Sequence, residues 1–131
     1  MVEKNIRVRT GNVWLTEEGI IHQLTLHNID FTLSDAEEVT TAMIKLAQAK
    51  PRPALVHMEF LKIITKEARK HFADTIAVKD NGSVNAVALI VKTPVSRVLG
   101  SFFLRFNRPE NPLKLFTSES EALKWLRGYL S

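Results

Sequence analysis

Along this chain the spacing of hydrophobic and polar positions changes period several times, and each change marks an element. Ile6-Arg7-Val8-Arg9 alternates apolar with polar, while Val13-Trp14-Leu15 and Ile20 to Leu26 are rich in β-formers. Glu18-Gly19 reads as a turn between the latter two, so the opening segment is predicted to be an antiparallel hairpin. No glycine-rich phosphate loop follows it. Ser34-Asp35-Ala36-Glu37 has capping-box spacing, in which a hydroxyl and a carboxylate satisfy the free amides of a helix start. Val39, Ala42, Met43, Leu46 and Ala47 then fall on one helical face. The helix is expected to stop before Lys50-Pro51-Arg52-Pro53, because each proline pushes its predecessor out of the helical region.

Ala54 to Met58 is the next predicted strand. Thr65 has the character of an N-cap, opening a helix with Ala68, Phe72, Ala73 and Ile76 inward. Asp80-Asn81-Gly82 is a predicted turn, and Val84 to Val91 reads as a strand covered on both faces. Thr93 caps the next helix with Pro94 at its first position, and Val95, Val98, Leu99, Phe102, Phe103 and Phe106 follow at helical spacing. Gly100 among them costs roughly 1 kcal/mol relative to Ala, which points to close packing on the sheet. Pro109 and Pro112 end the segment before a short strand, Leu113 to Phe116. Ser118-Glu119-Ser120-Glu121 is a further capping box, opening a last helix with Ala122, Leu123 and Leu126 inward. Alternation of this kind implies an α/β fold: an N-terminal β-hairpin, then right-handed β-α units, in a mostly parallel mixed sheet packed with about four helices.

Composition changes this picture little. The 131 residues fit one domain spanning 1–131, with enough chain for a core without metals or disulfides. Absence of cysteine excludes a disulfide scaffold, a thiolate metal site and a cysteine nucleophile. The first residues lack signal-peptide layout, and the longest apolar run, Ala86 to Val91, is too short to span a bilayer, so a cytoplasmic protein is expected. The net charge of +4 is unevenly spread, at −4 over residues 1–38 and +8 over residues 39–131. No run of four basic residues occurs, so the basic part reads as a solvated face and no specific nucleic-acid binding is expected.

The order of elements resembles the STAS domain, the fold of bacterial anti-sigma-factor antagonists. From residue 54 onward the chain is more specifically similar to small, uncharacterised bacterial STAS-like proteins. The residues carrying the likeness are Thr65-Lys66-Glu67-Ala68-Arg69, the run from Ala86 through Lys92-Thr93-Pro94-Val95-Ser96-Arg97 to Val98, Leu115-Phe116-Thr117-Ser118, and Glu121-Ala122-Leu123-Lys124-Trp125-Leu126. The resemblance implies a regulatory module that docks a protein partner and is switched by phosphorylation at the helix after the third main strand. By position the hydroxyl is Thr65, although Ile64 stands where the family places Asp. A phosphate there would meet free helix amides, with Lys66 and Arg69 close by.

No catalytic grouping is visible. His22, His27, His57 and His71 are scattered without metal-ligand spacing, so neither a metal nor a cofactor is expected. His57 reads as a satisfied core histidine and His71 as solvated. Glu59 ends its strand where sites form in α/β folds, yet no second carboxylate is near it in sequence. Ser96 and Ser101 lack a nucleophile-elbow context. Phe102, Phe103 and Phe106 interleave with Arg97, Arg105 and Arg108, but on separate helical stripes, as in a core helix with a basic outside. A non-enzymatic protein is therefore expected. Phe60, Leu61, Lys62, Ile63 and Ile64, with Lys66, Arg69 and Lys70, are the expected partner surface, for a protein partner or a second copy of the chain. The alternative is a small-molecule or lipid-binding domain with an apolar cavity between sheet and helices.

Overall fold

The computed structural model describes residues 4–26, 30–77, 84–107, 109 and 111–130. The hairpin appears as β1 (Asn5–Val8), β2 (Gly11–Leu15) and β3 (Ile21–Thr25), consecutive and antiparallel. Beyond them come β4 (Asp30–Phe31), α1 (Leu33–Ala47), β5 (Arg52–His57), β6 (Ile63–Ile64) and α2 (Lys66–Ala77). The chain closes with β7 (Val84–Ile90), α3 (Pro94–Leu104), β8 (Leu113–Phe116) and α4 (Glu119–Arg127). Six strands form one sheet in the order β1-β2-β3-β5-β7-β8, parallel from β3 onward, and β4 pairs with β6 as a separate two-residue parallel ladder. The expected α/β class and mixed sheet are what the chain forms. The turn expected at Asp80-Asn81-Gly82, the Ile76 side chain, His27 and Arg108 lie outside what is described.

The strand order explains the layers. From β3 to β8 the sheet grows in one direction only, and right-handed crossovers then send every connecting helix to the same face. The packing agrees. Ala36, Val39, Ala42 and Leu46 of α1, Ala68 of α2 and Phe103 of α3 share one buried cluster with Val13, Ile21, Ala54 and Leu89. The terminal helix α4 takes the opposite face, where Ala122 and Leu126 pack on Ile20, Leu55, Ala86, Ala88 and Ile90. Residues of β7 alternate between the two layers as the period of two requires.

Helix starts follow local chemistry with one displacement. Thr93 caps α3 with Ser96 as its reciprocal partner and Pro94 in the first turn, as expected. Ser118 caps α4, its hydroxyl accepting from the Glu121 amide at 3.4 Å. The first box, however, is not Ser34 and Glu37 but Thr32 and Asp35, two residues earlier. Asp35 wins because it also receives Arg9, with Nε at 2.6 Å and Nη2 at 2.7 Å from its two oxygens. That clip fastens the β1–β2 turn to α1.

Two features of the middle strands were misplaced by the periodicity. Strand β5 begins at Arg52 rather than Ala54, and its pairing with β7 shifts register between Arg52 and Pro53. A proline cannot donate to a central ladder, so the shift is where it can be accommodated. The inward face of α3 is also rotated. Val95 and Val98 are exposed and Ser96 and Gly100 are buried instead, while Phe103 is buried as expected. A Cβ on Gly100 would stand 2.9 Å from Val91 Cγ1 and 3.0 Å from Leu115 Cδ2, so the glycine does mark close packing of helix on sheet.

Candidate functional site

Two places in the fold hold more than packing. The first is an apolar cavity of about 110 Å³ between the sheet and the three crossover helices. Ala54 and Val56 of β5 and Val87 and Leu89 of β7 form its floor, with Met43 of α1, Phe72 of α2 and Phe103 of α3 above. Met58, Leu61 and Ile64 close the side beyond β5. Among its polar neighbours, Gln23 donates to Thr25 Oγ1 at 2.8 Å. Thr40 and Thr75 hydroxyls donate to the carbonyls of Ala36 and His71, one turn earlier on their helices. These four side chains are already committed, and His57 and Asn111 are the other polar side chains on a wall that is otherwise mainly apolar.

The second place lies on the other face. In β3, Gln23 and Thr25 line the cavity while His22, one position before Gln23, points the opposite way. Trp14 is its direct partner across the β2–β3 ladder, and the two rings stack with centroids 5.0 Å apart. His57, at the end of β5, stacks next to His22 at 5.9 Å. Its Nδ1 lies 3.2 Å from Glu59 Oε1, and its Nε2 lies 3.5 Å from Oε1 of Glu119, the first residue of α4. Glu59 is also 3.9 Å from Lys92 Nζ. Burial, with neighbouring His57 adding to it, pushes the His22 imidazole below the usual histidine range.

The residues singled out from the sequence fall in different surroundings. Thr65 is an N-cap, its Oγ1 accepting from the Ala68 amide at 3.2 Å while its own amide donates to the Phe31 carbonyl. Leu61 was expected at the surface but is buried in the core and borders the cavity, because the β4–β6 ladder ties its loop to β4 beside the core. Ile64 also packs against the core, Phe60 is half-buried, and Ile63 remains outside at 57% exposure. Arg69 does not share an open face with Lys66 and Lys70. Its guanidinium sits 5.7 Å from the Phe102 ring centroid, whereas Lys70 pairs with Asp74 at 2.8 Å. Phe102, Phe103 and Phe106 contact one another edge-on, and Phe103 is buried, so they do not form an open stacking platform. His71 is half-buried, its Nε2 2.9 Å from the Thr40 hydroxyl, where it joins α2 to α1.

His22, His57, Glu59 and Glu119 come together from three elements across almost a hundred residues of sequence. No fixed spacing announces such a group. The available signal was weaker: His22 and Trp14 sit at alternate positions of neighbouring strands, on one face.

A six-stranded mixed sheet with three helices on one side and a terminal helix on the other defines a STAS-like domain. An uncharacterised protein from Shewanella loihica PV-4, described as a member of the DUF3478 family with a SpoIIAA-like fold, superposes with a TM-score of 0.57. It is 19% identical, over 93% of this chain and 90% of that one, which establishes the shared fold. The sequence matches the family described as "Domain of unknown function (DUF7793)" over residues 13–130, and the chain belongs to that family. A protein of unknown function from Arthrobacter sp. FB24 is 28% identical over 92% of this chain and 95% of its own, with a TM-score of 0.32. No curated protein matches the chain. Among the described residues, no helix is long and apolar enough to cross a membrane.

Proposed function

We propose that this chain is a non-enzymatic binding domain for a small apolar molecule held between the sheet and the crossover helices. The observation that carries the reading is the cavity of about 110 Å³, walled mainly by apolar side chains such as Val56, Phe72, Val87, Leu89 and Phe103. A cavity of ~150 Å³ in a protein core takes benzene, so this one suits a single ring or a short branched alkyl group. A longer chain would have to displace α1 or α2. The test is titration of the protein with benzene and short branched alkanols, followed by methyl NMR. Saturable shifts at Val56, Val87 and Leu89, lost when Ala54→Leu fills the floor, are expected. Unmoved methyls at ligand saturation, or binding that ignores Ala54→Leu, would refute the reading.

Partner docking is the second reading, and exposed Ile63 between exposed Lys62 and Lys66 supports it. With Leu61 and Ile64 turned inward and Arg69 on Phe102, the surface expected from the sequence contracts to Lys62, Ile63, Lys66 and Lys70. Ile63→Glu should then abolish partner capture or self-association while leaving apolar-ligand binding intact.

A further inference from the structure

We propose that His22, His57 and Glu119 form a binding site for one first-row divalent metal ion, zinc in type, on the sheet face opposite the apolar cavity. Each residue offers one ligand atom, and these atoms all lie within 4.8 Å of one another. One pair, His57 Nε2 and Glu119 Oε1, is 3.5 Å apart. Ligands of a tetrahedral zinc ion with bonds near 2.0–2.1 Å stand ~3.3 Å from each other, so that edge is already close to the required length. Glu119 is 53% exposed in the first turn of α4, so its carboxylate can shift rotamer toward the two imidazoles.

Three independent features point to an ion. His22 is only 6% exposed, yet among the described residues neither of its ring nitrogens has a hydrogen-bond partner. A buried imidazole left in that condition is costly, and coordination would remove the cost. Glu59 holds His57 by Nδ1, which leaves Nε2 facing Glu119, as carboxylates orient metal-binding histidines elsewhere. Trp14 stacks at 5.0 Å on His22 and 6.3 Å on His57, fixing both ring planes. Two imidazoles and one carboxylate suit zinc and its neighbours in the d-block, whereas calcium and magnesium require mainly oxygen. With three protein ligands the fourth position stays open to water or an anion, and exposed Glu119 gives the ion its way in. Of these residues only His57 also lines the apolar cavity, so Glu119→Gln separates the two sites: it should weaken Zn²⁺ binding and leave apolar-ligand binding unchanged.

The test uses the whole chain, stripped with chelator and titrated with Zn²⁺ alone by calorimetry at neutral pH. One ion per chain is expected. His57→Gln and Glu119→Gln should each weaken binding at least as much as loss of an orienting partner does, about 10–100-fold, and Glu59→Gln should fall within that range. His71→Gln should change nothing. In a Trp125→Phe background, Co²⁺ should quench Trp14 fluorescence with the same saturation point. Should His22→Gln prove unstable, the exposed Glu119→Gln variant still decides the matter. A folded wild-type chain without saturable Zn²⁺ binding overturns the proposal, and so does binding that survives both His57→Gln and Glu119→Gln or disappears in His71→Gln.

Discussion

The two faces of the central sheet are built from alternate residues of the same strands, yet they are covered in opposite ways. On one, α1, α2 and α3 lie over Val13, Ile21, Ala54 and Leu89, and the gap they leave is lined mainly by apolar side chains. On the other, the nine-residue α4 reaches only part of the sheet, seated on Ala86, Ala88 and Leu55. Where no helix lies, Trp14, His22 and His57 stack as a row. The cause is topological. A sheet that grows in one direction with right-handed crossovers sends all its connecting helices to a single side, and only a terminal helix is left for the other. One face therefore gains an apolar void from three imperfectly meeting helices. The second face acquires ionisable rings at the edge of its short cover.

The sharpest way to break this comparison is to remove the anchor of each cover. Leu126 is fully buried and carries α4, so Leu126→Ala should cost about 2–5 kcal/mol in denaturant unfolding. Val87→Ala, on a half-buried wall that already borders empty space, should cost distinctly less. Equal losses would mean that the two layers are equally well packed.

The same contrast governs what could be read without a structure. Elements and fold class were legible because the chain switches cleanly between periods of two and 3.6, and because Thr93-Pro94 and Ser118 act locally. The α1 start was misplaced by two residues because the deciding partner of Asp35 is Arg9, on a distant turn. Loop 60–64 was misread for a similar reason. Its apolar excess is real, but the β4–β6 ladder turns Leu61 inward, and a two-residue ladder leaves no periodic trace. Leu61 and Ile64 were thus assigned to a surface although they line the cavity, while Ile63 does stay exposed. The histidine cluster was invisible because its members stand on separate elements and meet only through strand order and the placement of α4.

A matched pair of overpacking variants sharpens the comparison further. Ala54 and Ala88 are both fully buried on adjacent central strands, but Ala54 faces the cavity and Ala88 faces α4. Ala88→Leu should cost about 1–3 kcal/mol, because the helix sits directly on it. Ala54→Leu places three more carbons beside open space and should be neutral or stabilising by up to about 1 kcal/mol. Opposite signs in thermal unfolding support the void, and equal losses would argue that the three helices close it without a ligand.

Acid should loosen the two covers unequally. Asp35 is held down to about 2 by its hydrogen bonds to the Arg9 guanidinium, with Thr32 adding to the effect. A carboxylate whose folded pKa lies below its unfolded value of 3.8 contributes stability that is complete above that value. The contribution fades as pH falls from about 4 towards 2. Because Arg9 is largely solvated, most of the effect resides in the cap, and Asp35→Asn should cost about 1–2 kcal/mol at neutral pH. The variant should also show a shallower loss of stability below pH 4 than the parent. Amide exchange should locate the acid effect at the start of α1 and leave α4 protected.

The smallest expected effect tests whether strain at the end of α1 belongs to the three-helix cover. Gln48 and Ala49 have φ of 55° and 60°, the left-handed region, and neither is glycine. The turn is tied down from both sides, as the Lys50 amide and Arg52 Nε both donate to the Ala47 carbonyl. Ala in this conformation is strained by about 1 kcal/mol, which glycine would relieve, while glycine's freer unfolded chain takes part of that back. Ala49→Gly should therefore stabilise by about 0.5 kcal/mol, near the resolution of careful denaturant titrations. Neither Gln48 nor Ala49 borders the cavity or the histidine row, so apolar-ligand and Zn²⁺ titrations of Ala49→Gly should superimpose on those of the parent. A change in apolar-ligand affinity alone would show that the end of α1 sets the spacing of the helices above the sheet.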